Sequence, residues 1–116
     1  LEFFKILKSK KMIFSLESNT SSLSLALLGN KKIINKISVN CENDLSEIII
    51  PTIKTFLLNS FVTFDNISTL AVGCGPGSFT GIRTIISAAK GIQTSNKNIK
   101  NIGINSLAGL AMSVLI

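Results

Sequence analysis

Gly75-Pro76-Gly77-Ser78-Phe79-Thr80-Gly81-Ile82-Arg83 follows the apolar run Ile67–Val72 and opens a segment of helical period. Glycines placed after a strand and before a helix let the backbone turn tightly and leave N–H groups at the helix start. Such a turn can receive an anion. It is not a Walker A loop, because no Lys follows Gly81 and the glycine spacing differs. It is not GxGxxG either, since Thr80 stands where the third Gly belongs. On the residues alone, a tight strand-to-helix connection explains it at least as well as anion binding.

The strand-loop-helix unit extends in both directions. Downstream, Ile82, Ile85, Ile86 and Ala89 recur at helical spacing, and the helix is expected to run from Ser78 or Thr80 to about Thr94. The polar stretch 94–101 reads as a turn, Ile99–Ile104 as a short strand, and Ser106 as the cap of a last helix. Upstream, Met12–Leu16, Leu23–Leu27 and Ile33–Val39 read as three strands of a meander, with Gly29-Asn30 as a hairpin turn. Ile48, Ile49, Thr52, Ile53, Phe56 and Leu57 mark one face of a helix capped by Asp44 or Ser46. Pro51 is expected in its first turn or at a bend. The element order is βββαβαβα, an α/β layer on a mixed five-stranded sheet.

Composition narrows the function. The chain has 116 residues, 46% hydrophobic and 16% charged, with no His, Trp or Tyr. Without His there is no His-based triad, imidazole base or His metal site. Two Cys, Cys41 and Cys74, cannot supply a conventional zinc site and form no disulfide framework, so a reducing cytoplasm is expected. Mean hydropathy is high at +0.48, yet no apolar run reaches the roughly 18 residues of a membrane span. The net charge is +6, but Lys5, Lys8, Lys10 and Lys11 crowd the first eleven residues. Without that segment, eight basic residues face five acidic ones. Arg83 is the single Arg, which argues against base reading by Arg forks. Residues 1–11 are too short in apolar character for a signal peptide and read as a basic extension, an upstream artefact before Met12.

A second chemical feature is Glu17 at the end of the first strand, followed by Ser18, Asn19 and Thr20. A carboxylate there can hold a hydrated cation, and the hydroxyls can bond a phosphate. A turn whose polar side chains satisfy the backbone is the competing reading.

Two stretches carry a family resemblance. Residues 13–27 resemble the opening strand, turn and strand of the TsaB (YeaZ) family, usually ILAIDTST…SVAL. Residues 75–83, with Ala88-Ala89-Lys90-Gly91 beyond, resemble its GPGSFTGxR…AKG signature, and residues 102–107 its GVSTL segment. Order and spacing agree from Met12 onward. The resemblance implies an actin-like, ribonuclease H-like (ASKHA) lobe, residues 12–116, with the second lobe of the family missing or truncated. It implies a non-catalytic partner of TsaD in forming threonylcarbamoyladenosine beside the tRNA anticodon. A TsaE-like ATPase completes that assembly, and TsaC supplies threonylcarbamoyl-adenylate.

The resemblance also assigns residues. The two helices would form a surface for a TsaD-like protein or a second TsaB, with Ile49, Ile53, Phe56, Phe79, Thr80, Arg83, Ile86, Ser87 and Lys90 at the interface. Gly75, Pro76, Gly77, Ser78 and Gly81 would aim the second helix, and small residues on it (Gly81, Ser87, Ala88, Gly91) would admit a partner helix. Glu17, Ser18 and Thr20 would be a vestigial phosphate or ligand site. No catalytic residue and no metal site is expected, no cofactor on this chain alone, and ATP, ADP and metal in the partner complex. tRNA would be met through that complex, and no membrane. Glu17 replaces the family's usual Asp, and Leu45 replaces its usual His while Ser46, Glu47 and Pro51 match. The alternative from another class is an actin-like-fold enzyme, kinase-like or glycoprotease-like.

Overall fold

The structure, a computed structural model, describes residues 12–18, 22–41, 44–73 and 79–104, with side chains from 81 onward in the last segment. The elements are β1 (Met12–Ser18), β2 (Ser22–Gly29), β3 (Lys32–Asn40), α1 (Leu45–Asn59), a short 3₁₀ turn (Phe64–Asn66), β4 (Ile67–Gly73), α2 (Phe79–Ser95) and β5 (Lys100–Ile104). The expected order therefore holds through β5. The expected last helix, and the loop Gly75–Ser78, lie outside the described residues.

The sheet order is β3-β2-β1-β4-β5. The hairpin-connected strands pair antiparallel, and β4 pairs parallel with both β1 and β5. Period-two alternation sorts the side chains. Met12, Phe14 and Leu16 of β1 and Leu23, Leu25 and Leu27 of β2 are buried under the helices. Leu70 and Val72 join them from β4. Ser15, Glu17, Ser24 and Ala26 take the opposite face, where burial is only partial.

Two details of the sequence reading change. The hairpin turn sits at Asn30-Lys31, with φ of 52° and 62°, rather than at Gly29-Asn30. The ladder continues to the Gly29–Lys32 pair, which moves the bend one residue along. Two successive positive φ values match a type I′ hairpin, whose twist suits the flanking strands. The second change concerns α1. It begins at Leu45, so Pro51 is well inside it rather than at its start. Asp44 takes the N-cap position without a side-chain cap bond. The missing Pro51 N–H leaves the Glu47 carbonyl without its i+4 donor.

The C-terminal end of α1 closes in a Schellman motif. Val62 N–H donates to Leu57 O at 3.0 Å and Phe61 N–H to Leu58 O at 3.1 Å. The residue in the left-handed position is Phe61, with φ 58°, where Gly is the usual occupant. Buried Leu57 and Val62 supply the accompanying apolar contact positions. The Ser60 hydroxyl donates to Phe56 O at 2.8 Å and accepts from Asn35 Nδ2 at 3.0 Å, tying this end of α1 to β3.

Phe56 stacks on Phe14 with ring centroids 5.8 Å apart and planes 15° apart. Ile49, Ile53 and Leu57 complete the inward face of α1, and Ile85, Ala89 and Ile92 that of α2. Both helices thus lie on one side of the sheet and over a single core.

Candidate functional site

Two helices packed side by side on a sheet leave a furrow on their outer surface wherever the facing side chains are small. Here α2 presents Arg83, Thr84, Ser87, Ala88 and Gly91 toward α1. The result is a groove of about 620 Å³. Its floor includes Ile49 and Ile53, both nearly inaccessible, and its rim includes Ile50, which is 41% exposed. Phe64, from the turn after α1, also lines it.

Gly91 is informative. A Cβ built there meets nothing within 4 Å, so internal packing does not require a glycine. A glycine in a helix interior is less favourable than Ala by about 1 kcal/mol. The fold alone would thus be better served by Ala. What the glycine does provide is a shallow wall on the groove side.

Among the described residues the groove's charges are Lys54 and Arg83, and its lining includes no carboxylate or cysteine. Its chemistry is that of a docking surface: an apolar floor, small walls and cations at the edge, complementary to an apolar ridge flanked by acids.

Four of the nine interface residues named from the sequence come together here: Ile49, Ile53, Arg83 and Ser87. Lys90 is exposed on α2 outside the lining, and Ile86 is half-buried against the core. Phe56 is a correction. It is 2% exposed and stacked in the core, because α1 turns that position toward β1 and the sheet. The side chains of Phe79 and Thr80 lie outside the described residues, as do Gly75, Pro76, Gly77 and Ser78. Gly81 is buried at the start of α2. Ile50, Lys54 and Phe64 were not singled out in the sequence. Ile50 stands at helical spacing from Lys54, and such pairs at i, i+4 share a face.

The second candidate lies at the carboxyl ends of β1 and β4. From β1 the chain runs outward to β2 and β3, then crosses over to β4 and β5, so the order reverses at this point. Open α/β sheets bind ligands at such a place. Glu17 pairs across from Ser24 and lies over Gly73 of β4. A Cβ on residue 73 would stand 2.9 Å from Glu17 Cγ and 3.3 Å from its Cβ, closer than side chains tolerate. Gly73 thus makes the room that the longer acid needs. Ser18 ends β1 half-buried, and Thr20 is outside the described residues. Among the described residues no three His, Cys, Asp or Glu come together. A hard divalent cation takes about six oxygen ligands, and Glu17 offers one carboxylate.

Cys41 is buried beyond the end of β3. Burial, aided by the negative charge of Asp44, pushes its thiol up from the ordinary value, so it is a poor nucleophile at neutral pH. Among the described residues no helix is long and apolar enough to cross a membrane.

The chain is similar to known proteins. A family model described as "TsaD: tRNA N6-adenosine threonylcarbamoyltransferase" matches residues 37–116, more than half of the chain. A curated relative from Buchnera aphidicola subsp. Schizaphis graminum, "tRNA threonylcarbamoyladenosine biosynthesis protein TsaB", is 35% identical over 100 residues. That match covers 86% of this chain and 47% of the relative. The protein of the same name from Escherichia coli strain K12 is 31% identical over 99 residues, covering 85% of this chain and 42% of the relative. The chain therefore spans less than half the length of these relatives. Among solved structures, YeaZ from Pseudomonas aeruginosa superposes with a TM-score of 0.74 at 21% identity, over 82% of this chain and 44% of that one. A Bacteroides thetaiotaomicron protein described as having an actin-like ATPase fold and unknown function gives 0.55 at 10% identity, over 87% of this chain and 36% of that one. Such low identities speak to the fold alone, and the fold they support is actin-like. The family model carries a transferase's description while the curated relatives are named TsaB. The chain belongs to the TsaB (YeaZ) family and has its actin-like α/β fold.

Proposed function

We propose that this chain serves in tRNA threonylcarbamoyladenosine formation as a non-catalytic partner of a TsaD-like protein, docking it through the groove between α1 and α2. One observation supports this most directly: Gly91 opens the groove wall although no contact among the described residues requires a glycine there. Among the described residues the lining carries no acid or thiol, which fits recognition rather than catalysis. In this reading Lys54 and Arg83 meet carboxylates on the partner, and Ile50 contributes apolar contact. The adenine nucleotide, any metal and a TsaE-like ATPase belong to the assembled complex, which operates in the cytoplasm. A second copy of this chain would use the same groove in the absence of TsaD.

The test is co-purification with a TsaD-like protein. Gly91→Ala keeps the helix and weakens capture, because its methyl group narrows the groove wall. Gly91→Trp fills the groove and abolishes capture while circular dichroism stays unchanged. Capture of TsaD by Gly91→Trp at the wild-type level would refute the assignment. Strong thermal stabilisation of the isolated chain by Mg-ATP would favour the enzyme alternative instead.

A further inference from the structure

The topology sorts charge toward the two ends of the sheet. The amino ends of β1, β4 and β5, the β2–β3 hairpin tip and the C-terminal turns of both helices share one end. The Asn35–Ser60 bond fixes the last turn of α1 beside β3, three residues from Lys32 and so roughly 10 Å from it along the strand. This end carries Lys31, Lys32, Lys97 and Lys100 against a single acid among the described residues, Asp65. Two helix C-termini contribute about half a negative charge each. With Asp65 they offset roughly half of the four lysines. In the sequence, Lys10 and Lys11 directly precede Met12, the first residue of β1. The opposite end carries Glu17, Asp44 and Glu47, with Arg83 in the second turn of α2.

An aromatic ring stands beside the basic end. Phe61 is 76% exposed and Leu58 74% exposed. Phe61 occupies a left-handed position that disfavours a bulky side chain, and Lys31 does so at the hairpin tip. Two strained residues at one end, one a cation and one an exposed ring, are not what turn chemistry alone selects. Lysines beside an exposed aromatic are the means by which proteins hold unpaired nucleotides, through phosphate charge and base stacking.

We infer that this end of the sheet is a contact surface for RNA, with Lys31, Lys97 and Lys100 facing backbone phosphates and Phe61 stacking an unpaired base. From the hairpin tip to β5 is three to four strand spacings, about 15–20 Å, which spans several nucleotides of a loop. Contact of this kind is insensitive to sequence, in keeping with a single Arg in the chain. The surface borders the groove where Ser95 and Asn96 line it next to Lys97, and lies at the opposite end of α2 from Arg83, so it adds a direct RNA contact to the tRNA reading beside the partner groove.

The probe is a fluorescent RNA stem-loop with an unpaired loop, titrated with the full chain by anisotropy. Wild type binds, and raising salt from about 50 to 200 mM weakens binding roughly ten-fold or more. The K31E/K97E/K100E variant loses about ten-fold or more at low salt. Phe61→Gly, which relieves the left-handed strain and so keeps the fold, loses about five-fold on the stem-loop and nothing on a fully paired duplex. Unchanged stem-loop binding in either variant overturns the inference, and so does equal binding of wild type to phosphatidylglycerol vesicles. TsaD capture by Phe61→Gly and by a K31E/K100E variant, which leaves Lys97 beside the groove intact, stays at the wild-type level, which separates this surface from the partner groove. Loss of capture in K31E/K100E would assign those charges to the protein partner and overturn the RNA reading.

Discussion

Residue 61 is where replacing a side chain should invert an ordinary preference. Phe61 holds φ 58° at the end of α1 and is 76% exposed. Its ring hides only about a quarter of roughly 200 Å². At about 25 cal/mol per Å² that burial contributes near 1 kcal/mol, an upper estimate. Phe61→Ala and Phe61→Gly both lose it, so the difference between them isolates the backbone. Alanine keeps the left-handed strain of about 1–2 kcal/mol, whereas glycine has none. Glycine in turn loses about 0.5–1 kcal/mol more conformational entropy on folding. The Phe61→Gly variant should therefore be more stable than Phe61→Ala by about 0.5–1 kcal/mol, and close to wild type. At exposed Thr55 in the middle of α1 the order reverses, with Thr55→Ala more stable than Thr55→Gly by about 1 kcal/mol. Urea unfolding of the four variants measures both differences at unchanged slope. Thermal midpoints should differ by about 4–8 °C per kcal/mol for a chain of this size. A Phe61→Ala variant as stable as Phe61→Gly would refute the Schellman assignment and the strain on which it rests.

Other substitutions probe the rest of the fold. Phe56→Ala removes a ring that is 2% exposed and stacked on Phe14, so it should cost about 3–5 kcal/mol in urea unfolding, whereas a surface role predicts almost none. Lys31→Gly at the second hairpin position should stabilise by about 0.5–1 kcal/mol, and no gain would mean that the strand twist does not require the left-handed turn. Gly73→Ala should destabilise by about 1–3 kcal/mol by pushing on Glu17 Cγ, and combining it with Glu17→Ala should recover part of the loss in a double-mutant cycle. Strict additivity of that pair would show that the two side chains do not compete for space. Cys41, in a Cys74→Ser background, should react with a thiol reagent at pH 8 only slowly until the chain unfolds. Because its folded value is raised, its contribution to stability is complete below the unfolded value of about 9 and is lost as pH climbs above it.

Much of the architecture was legible because hydrophobic period is a local property. Leu23, Leu25 and Leu27 alternate as a half-buried strand must, and Ile82, Ile85, Ile86 and Ala89 recur as a helix must. β4 ends at Gly73 and α2 begins at Phe79, so the boundaries of both elements fall on either side of the glycine run. The hairpin was displaced by one residue because Gly29 carries the expected turn chemistry, while the ladder to Lys32 decides where the bend falls. Of the two N-caps read from the sequence, Asp44 is the one α1 uses, and six helical residues precede Pro51 because tertiary packing of Leu45 and Ile49 holds them.

The groove was half legible for a related reason. Period tells which residues share a helix face, and Arg83, Ser87 and Gly91 do share one. It does not tell which of two apolar faces meets the sheet, and Phe56 belongs to the inward one. Ile50 and Phe64 come from different elements, so their place in the groove follows from how α1, the turn after it and α2 pack. The sequence by itself determined the element order, the missing histidine chemistry and the signature that places the chain in its family. The tertiary structure alone decided what is close in space: Gly73 under Glu17, the groove beside Gly91, and lysines from two separate connections at one end of the sheet with Phe61. Proximity between residues far apart in the chain depends on strand order and helix packing, and no local pattern carries that information.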